Sequence, residues 1–293
     1  MKFYSRPTLI FVILLSASLL IFAGKALLSH KGTSQYFPAA VDFSDEPTPL
    51  NIIDVKERFD RELLVNANLH SSTLLILKRA NRYFPVIEPI LKQNNIPDDF
   101  KYLCVIESAL TNATSAAGAK GFWQFMPETA KEKGMEINES VDERYHLTKA
   151  TQAACDYLLN AKDKFSNWTL AAASYNCGMN GISKSLETQK VSNYYDLLLT
   201  DETQRYIFRI LALKTIMQNP KLYGFNLEQN ELYQPIATKI IEIDSTISDL
   251  AQFSIEQGIN YKLLKIYNPW LRDKKLINLT NKKYLLEIPI TDY

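Results

Sequence analysis

The sequence predicts a mainly α-helical domain followed by a small module that mixes strands and helices. From about residue 54 to residue 230, apolar residues recur at helical spacing, and no stretch alternates as a half-buried strand does. After about Tyr233, a strand-like run (KIIEI) precedes two short helical patterns and a closing strand-like run. With 293 residues, the chain is long enough for one sizeable domain and a smaller second one.

The first 28 residues are typical of an exported protein. Lys2 and Arg6 precede an uninterrupted apolar run over residues 9–23, which is the pattern of a secretory signal. Counted through Leu28, the segment approaches the roughly 20 apolar residues that a membrane-spanning helix needs. A cleaved signal peptide and an N-terminal membrane anchor both remain open, and the lack of an A-x-A site before Lys25 favours the anchor. We therefore expect the rest of the chain in the periplasm or cell envelope.

Residues 29–53 are rich in glycine, serine, proline and acidic residues, which predicts a linker. The overall composition is that of an ordinary globular protein, with 46% apolar and 22% charged residues. A net charge of +1 gives no indication of nucleic-acid binding. The three cysteines and three histidines are scattered without ligand spacing, so we predict no metal site and no cofactor.

One acidic residue, Glu107, ends a helical pattern that is otherwise nearly all apolar. Four residues share one face of this helix: Phe100, Leu103, Cys104 and Glu107. Such a helix is expected to be buried on most of its surface, and burial raises the pKa of a carboxyl group. A carboxyl group that keeps its proton near neutral pH can act as a general acid. The alternative is that Glu107 turns outward into solvent where the helix ends.

A turn of small residues follows this helix. Gly118, Ala119 and Gly121 are succeeded directly by FWQFM at residues 122–126. Glycine permits close approach of a ligand to the backbone, and the aromatic residues offer flat faces for sugar rings. Gln124 offers both a hydrogen-bond donor and an acceptor. An acid, a glycine turn and an aromatic–amide cluster within one short stretch predict a carbohydrate site.

The motif E-S…S-x-x-G-A-x-G-x-W-Q-F-x-P, between residues 107 and 127, resembles the signature of the lytic transglycosylases of glycoside hydrolase family 23. The resemblance covers roughly residues 54–225 and is greatest to the membrane-bound lytic murein transglycosylase D type. It implies a goose-type lysozyme-like catalytic domain over residues 54–230 that cleaves the glycan strands of peptidoglycan.

Two further motifs follow in the order of that family. The segment AASYNCG at residues 172–178 resembles A-A-Y-N-x-G, and ETQRY at residues 202–206 resembles E-T-x-x-Y. Ser174 and Cys177 stand where the family usually has alanine or another small residue. Both departures are small, so the resemblance still implies a cleft formed in part by these two motifs.

The resemblance implies one catalytic residue, Glu107, that acts first as an acid and then as a base. It would protonate the glycosidic oxygen between N-acetylmuramic acid and N-acetylglucosamine, and then take the proton of the muramoyl 6-hydroxyl. The product is a 1,6-anhydromuramoyl end, and no water is consumed. The implied substrate-binding residues are Ser108, Gln124, Tyr175, Asn176 and Tyr206. Most glycosidases use two carboxylates, whereas the acids that follow here, Glu128 and Glu132, have the pattern of solvated residues.

The strand–helix–helix–strand order over residues 233–293 resembles a LysM peptidoglycan-binding module. The match is degenerate, because the segment DSTI at residues 244–247 replaces the G-D-T-L of the family, although the later N-P and I-P pairs are present. A working module of this kind would be separable from a folded catalytic domain. The alternative is a packing domain without affinity for glycan.

Two other functions are compatible with parts of the sequence. A hydrolytic muramidase of the goose-type lysozyme kind would need a second carboxylate that holds a water molecule, and the sequence offers no obvious one. A non-catalytic peptidoglycan-binding scaffold would be expected to lack Glu107 or the glycine turn, and both are intact. No sequence feature indicates a protein partner.

Overall fold

The computed structural model describes residues 36–290, so the predicted signal peptide or membrane anchor lies outside the described residues. From Pro38 onward the chain forms one compact unit. The predicted fold class is confirmed: the described part is mainly helical, with a small antiparallel sheet near its C-terminus. Among residues 36–290, no helix combines the length and the apolar character that crossing a membrane requires.

The helical domain is built from helices of very different lengths. They span Ile53–Asn68, His70–Gln93, Phe100–Ser108, Pro127–Glu132, Leu147–Phe165, Trp168–Cys177, Met179–Gln189 and Asp201–Gln218. Short 3-10 helices lie at Glu143–Tyr145, Tyr194–Asp196, Pro220–Tyr223 and Gln229–Glu231. We refer below to Phe100–Ser108 as the central helix and to Asp201–Gln218 as the long helix.

The central helix lies in the core of this domain. Phe100 and Leu103 are fully buried, and the helix packs against both the long helix and His70–Gln93. Burial of each such side chain stabilises the fold by about 1.5–3 kcal/mol. The apolar pattern that surrounds Glu107 in the sequence is therefore the pattern of a helix enclosed on most of its sides.

The structure differs from the predicted linker over the second half of residues 29–53. Strands Asp42–Phe43 and Glu46–Pro47 form a short antiparallel hairpin. Phe43 is fully buried, and its ring meets that of Phe100 edge-on at 5.0 Å between centroids. The two central residues of the hairpin both have positive φ, 54° and 63°, as a tight hairpin turn requires. Their identities, Ser and Asp, are not the usual Asn-Gly signal, so composition alone suggested a linker.

The hairpin also anchors a helix of the predicted cleft. The carboxylate of Glu46 accepts hydrogen bonds from the backbone N–H groups of Trp168 and Thr169, at 2.6 and 2.8 Å. These groups stand at the start of helix Trp168–Cys177, where the unpaired N–H groups favour a negative charge. The second half of the predicted linker is thus an integral part of the helical domain.

The C-terminal module has the predicted strand–helix–helix–strand order. Strand Thr238–Ile243 pairs antiparallel with Tyr284–Pro289, and helices Leu250–Glu256 and Tyr261–Tyr267 lie between them in sequence. Asn268 of the N-P pair is fully buried, donates to the carbonyl oxygen of Glu287 at 2.8 Å and accepts from its N–H at 2.8 Å. This residue therefore joins the end of the second helix to the closing strand.

Candidate active site

Glu107 occupies the last turn of the central helix, and the chain turns sharply just after it. Ala109 and Leu110 both have left-handed backbone, with φ of 51° and 57°. Such a conformation costs about 1–3 kcal/mol for a residue other than glycine, and it persists only where the surroundings enforce it. Glu107 is therefore half-buried at the end of a helix that is otherwise mostly buried.

Two arginines hold the end of this helix. Arg79 donates a hydrogen bond to the carbonyl oxygen of Ala109 at 3.1 Å, and Arg209 donates to that of Ile106 at 3.3 Å. Carbonyl groups in the last turn of a helix lack partners within the helix, and a positive charge there is favourable. Sequence reasoning missed both arginines because they come from other helices and carry no local motif.

Tyr206 of the long helix meets Glu107 directly. Its hydroxyl donates a short hydrogen bond to the Glu107 carboxylate, and only 2% of the tyrosine is exposed. The first and third motifs of the sequence are therefore brought together in space, although 99 residues separate them in the chain. A phenol that donates to a carboxylate stabilises its ionised form.

The environment of Glu107 places its pKa near neutrality. The pKa is raised from 4.5 to about 7; burial is the largest cause, and the negative charge of Glu202 acts in the same direction. The Tyr206 hydrogen bond and the positive charge of Arg209 act in the opposite direction. A group with this pKa exists in both protonation states at neutral pH, so it can give a proton and later accept one.

Gln124 lies on the glycine turn and helps to shape it. Its backbone has a φ of 49°, and its side-chain NH₂ donates to the carbonyl oxygens of Ala113 and Gly121 at 3.1 and 2.7 Å. Both amide donors are thus directed into the turn. The amide oxygen is the group that remains for a ligand.

Tyr175 and Asn176, of the second motif, contact the glycine turn and the third motif respectively. The Tyr175 hydroxyl donates to the carbonyl oxygen of Trp123 at 2.9 Å. Asn176 accepts from the Thr203 hydroxyl at 2.7 Å and donates to Glu202 at 3.2 Å, at the start of the long helix. The predicted pair therefore fixes helix Trp168–Cys177 between the glycine turn and the residues that follow Thr200.

Ser108 has a different position from the other predicted residues. It is 7% exposed, and its hydroxyl donates back to the carbonyl oxygen of Cys104 at 3.4 Å. That contact lies within the central helix. The structure therefore brings Glu107 and Tyr206 into direct contact. Gln124 and Tyr175 bond to backbone carbonyls of the turn region, and Asn176 bonds to the start of the long helix. The side-chain hydrogen bond of Ser108 reaches none of these residues. Glu128 and Glu132 are exposed, as predicted.

Comparison with known proteins matches two parts of the chain to domain families. The family model for the transglycosylase SLT domain matches residues 84–198. The family model for the soluble lytic transglycosylase C-terminal LysM-like domain matches residues 239–292. The chain carries an SLT domain and a LysM-like domain. Glu107, Gln124, Tyr175 and Asn176 fall within the matched SLT range, whereas Tyr206 lies beyond its end.

Individual relatives extend the SLT likeness beyond the matched range. The chain is 29% identical over 228 residues to membrane-bound lytic murein transglycosylase D of Escherichia coli K12. The aligned region covers 76% of this chain and 49% of that protein. The same protein of E. coli O6:H1 gives the same values. The chain thus spans about half the length of the curated relatives it matches. Among solved structures, an inactive mutant of lytic transglycosylase Slt from Pseudomonas aeruginosa matches with 20% identity and a TM-score of 0.37, over 52% of this chain and 26% of that one.

Proposed function

We propose that this chain is a peptidoglycan lytic transglycosylase that cleaves the MurNAc-β-1,4-GlcNAc bond without water. One observation carries the proposal: the carboxyl group of Glu107 sits at the end of a buried helix, is hydrogen-bonded by Tyr206 and has a pKa of about 7. The SLT match around this residue supports the same reaction. The choice of substrate rests on the SLT match and on the murein transglycosylases that the chain resembles.

The reaction needs Glu107 in both of its protonation states. The protonated carboxyl group gives its proton to the glycosidic oxygen, and the bond from that oxygen to the muramoyl C1 breaks. The resulting carboxylate takes the proton of the muramoyl 6-hydroxyl, whose oxygen then bonds to C1. The proton count of Glu107 is restored, and the product carries a 1,6-anhydro ring. The Tyr206 hydroxyl would stabilise the carboxylate between the two steps.

The remaining predicted residues have different roles in this proposal: Gln124 binds substrate, and Tyr175, Asn176 and Ser108 support the cleft. The Gln124 amide nitrogen donates within the turn, and its amide oxygen is suited to accept a hydrogen bond from a sugar N–H or hydroxyl group. Tyr175 and Asn176 hold the wall of the cleft through Trp123 and Thr203. Ser108 would act only through the helix end, given its bond to Cys104.

A hydrolytic muramidase is the second candidate, and a specific observation favours it. Glu202 is a further carboxylate, and its negative charge raises the pKa of Glu107. Its side chain is exposed. A muramidase would use such a carboxylate to hold the attacking water molecule. Against this, Glu202 already accepts a hydrogen bond from Asn176, which supports a structural role for it.

The cellular setting is part of the proposal. The relatives are named as membrane-bound murein enzymes, which supports a place in the cell envelope with peptidoglycan strands as the partner. We infer that residues 1–28 export the chain to the periplasm and, if they are not cleaved, anchor it in the inner membrane. We also infer a catalytic domain over residues 54–230, extended by the hairpin before it, and a LysM-like module over residues 233–293.

Mass spectrometry of purified sacculi after digestion tests the reaction. The expected products carry 1,6-anhydromuramoyl ends and are lighter by one water than hydrolysis products. Reducing muramoyl ends would instead assign the muramidase reaction. No release of glycan fragments by the wild-type protein would support the non-catalytic scaffold.

The pH dependence of cleavage is expected to report the pKa of Glu107. The first step needs the protonated carboxyl group, so the rate should fall as pH rises through about 7. Tyr206→Phe removes the hydrogen bond that lowers this pKa. The descending limb of the pH–rate profile should therefore move to higher pH in that variant. An unchanged profile would show that another group controls the rate.

A further inference from the structure

We propose that the C-terminal LysM-like module positions the glycine turn of the cleft, acting through residues 136–146, which we call the joint segment. The segment contacts the module on one side and the turn on the other. The effect on catalysis rests on the proposed function, whereas the effect on the turn itself does not.

The module and the joint segment share one hydrophobic core. Val141 and Tyr145 of the segment belong to the same buried cluster as Trp270, Leu271 and further residues of the module. The Tyr145 ring also lies 4.3 Å from the guanidinium carbon of Arg272. Removing the module would expose this core, so the module is not the freely separable domain that the sequence suggested.

Backbone hydrogen bonds cross the same boundary. The N–H of Asp142 donates to the carbonyl oxygen of Trp270 at 2.9 Å, and the N–H of Arg272 donates to that of Ser140 at 2.8 Å. Val141 and Leu271 form an antiparallel bridge at this point. Because such bonds are directional, they restrain the position of the segment and not merely its distance from the module.

Charged groups complete the boundary. Lys282 of the module bonds to Glu136 at 2.6 Å and to Glu143 at 3.1 Å. The Tyr284 hydroxyl donates to Glu136 at 3.0 Å. The Glu143 side chain is only 3% exposed, so its charge requires close partners. Lys282 and Lys149 on the helix that follows supply them.

The opposite side of the segment holds the glycine turn. Arg144 is 3% exposed, and one of its guanidinium nitrogens donates to the carbonyl oxygens of Gly118 and Phe125 at 3.1 and 3.3 Å. The other two nitrogens bond to the carboxylate of Asp142 at 2.9 and 2.8 Å. Asp142 is the residue whose N–H is bound by Trp270. A buried and directional series of contacts therefore runs from the module to both ends of the turn.

The turn needs this external support. Gln124 has a left-handed backbone, with a φ of 49°, and a strained backbone persists only where its surroundings determine it. If the module side of the segment loosens, Arg144 loses its fixed position and the turn samples other conformations. The fraction of molecules with a competent turn then falls, and the turnover number falls with it.

The test uses the full chain and a soluble glycan fragment. The double variant K282M/Y284F removes the polar side-chain contacts of the module with Glu136 and Glu143 but keeps the aromatic ring. Its matched control is K283M, which removes an adjacent lysine that pairs with Glu242 inside the module at 2.8 Å. We expect kcat to fall on the order of 10-fold in the double variant and to stay unchanged in the control, since displacement by 1 Å can cost about 100-fold.

Hydrogen exchange of the amides of residues 118–125 provides a second readout that needs no activity. Exchange should become faster in K282M/Y284F than in the wild type, and it should stay at the wild-type rate in K283M. If the chain cleaves no glycan at all, the proposed function fails while this measurement still decides the inference. Equal exchange in the double variant and the control would overturn it.

A further variant covers the case in which K282M/Y284F does not fold. Arg144→Lys keeps a positive charge beside Asp142 but cannot reach that carboxylate and both turn carbonyls together. The same faster exchange and lower kcat are expected, with KM for the soluble fragment changed less than kcat. Wild-type exchange in a folded Arg144→Lys protein would show that the segment does not position the turn.

Discussion

Glu107→Gln is expected to abolish glycan cleavage while leaving the protein folded and able to bind sacculi. Glutamine keeps the shape of glutamate and can still receive the Tyr206 hydrogen bond, but it cannot give a proton to the leaving oxygen. General acid–base catalysis is typically worth about 10²–10⁴-fold, and here one group would serve both steps. The measurement is the rate of release of soluble fragments from sacculi. Full activity in this variant would remove Glu107 from the site.

Stability measurements separate this loss of catalysis from a loss of folding. The pKa of Glu107 is raised in the folded protein from 4.5 to about 7, so the folded state loses stability relative to the unfolded chain as pH rises from about 4.5 to about 7. The Glu107→Gln variant should therefore be more stable than the wild type above pH 7, by up to about 3 kcal/mol, and the advantage should vanish below pH 4.5. Glu128→Gln removes an exposed carboxylate and is expected to change neither rate nor stability.

Gly121→Ala is expected to be the most damaging of the small substitutions. Gly121 has a φ of 82°, and a Cβ atom there would lie 1.9 Å from the carbonyl oxygen of Arg144. The joint segment would have to move away from the turn. We expect a loss of about 3–5 kcal/mol in the free energy of unfolding, which is the range of severe overpacking and strain. Denaturant unfolding followed by circular dichroism measures it.

Gly118→Ala is the matched control for that substitution. Gly118 has a similar φ of 89°, but no heavy atom lies within 4 Å of the position that its Cβ would take. The control therefore carries the backbone strain without the collision and should lose only about 1 kcal/mol. Equal losses in the two variants would mean that strain alone, and not contact with Arg144, accounts for the requirement for glycine.

The amino-acid sequence alone was enough to predict the helical class, the position of Glu107 at a helix end and the element order of the tail. These features are local: helical periodicity identifies a buried face, and a lone acid at its end stands out against that pattern. The strand–helix–helix–strand order of the tail is equally local, because each element has its own period and the breaks between them are marked by turn residues.

The groups that surround Glu107 could not be predicted from the sequence, because they depend on how distant helices pack. Arg79 and Arg209 reach the end of the central helix from distant parts of the chain, and no spacing in the sequence relates them to it. The motif resemblance suggested that Tyr206 reaches the cleft, but its direct bond to the Glu107 carboxylate depends on how the long helix packs. The pKa of Glu107 depends on these same contacts.

The hairpin and the joint segment were also beyond what the sequence alone could determine. Glu46 and Arg144 carry charges that are usually found at the surface. Glu46 is half-buried and Arg144 is buried, because their hydrogen-bond partners lie 122 and 26 residues away in the chain. Local propensity describes a residue and its neighbours in sequence, whereas the pairing of a buried charge depends on which elements fold against each other. For that reason the tail looked separable in the sequence and shares a core with the helical domain in the structure.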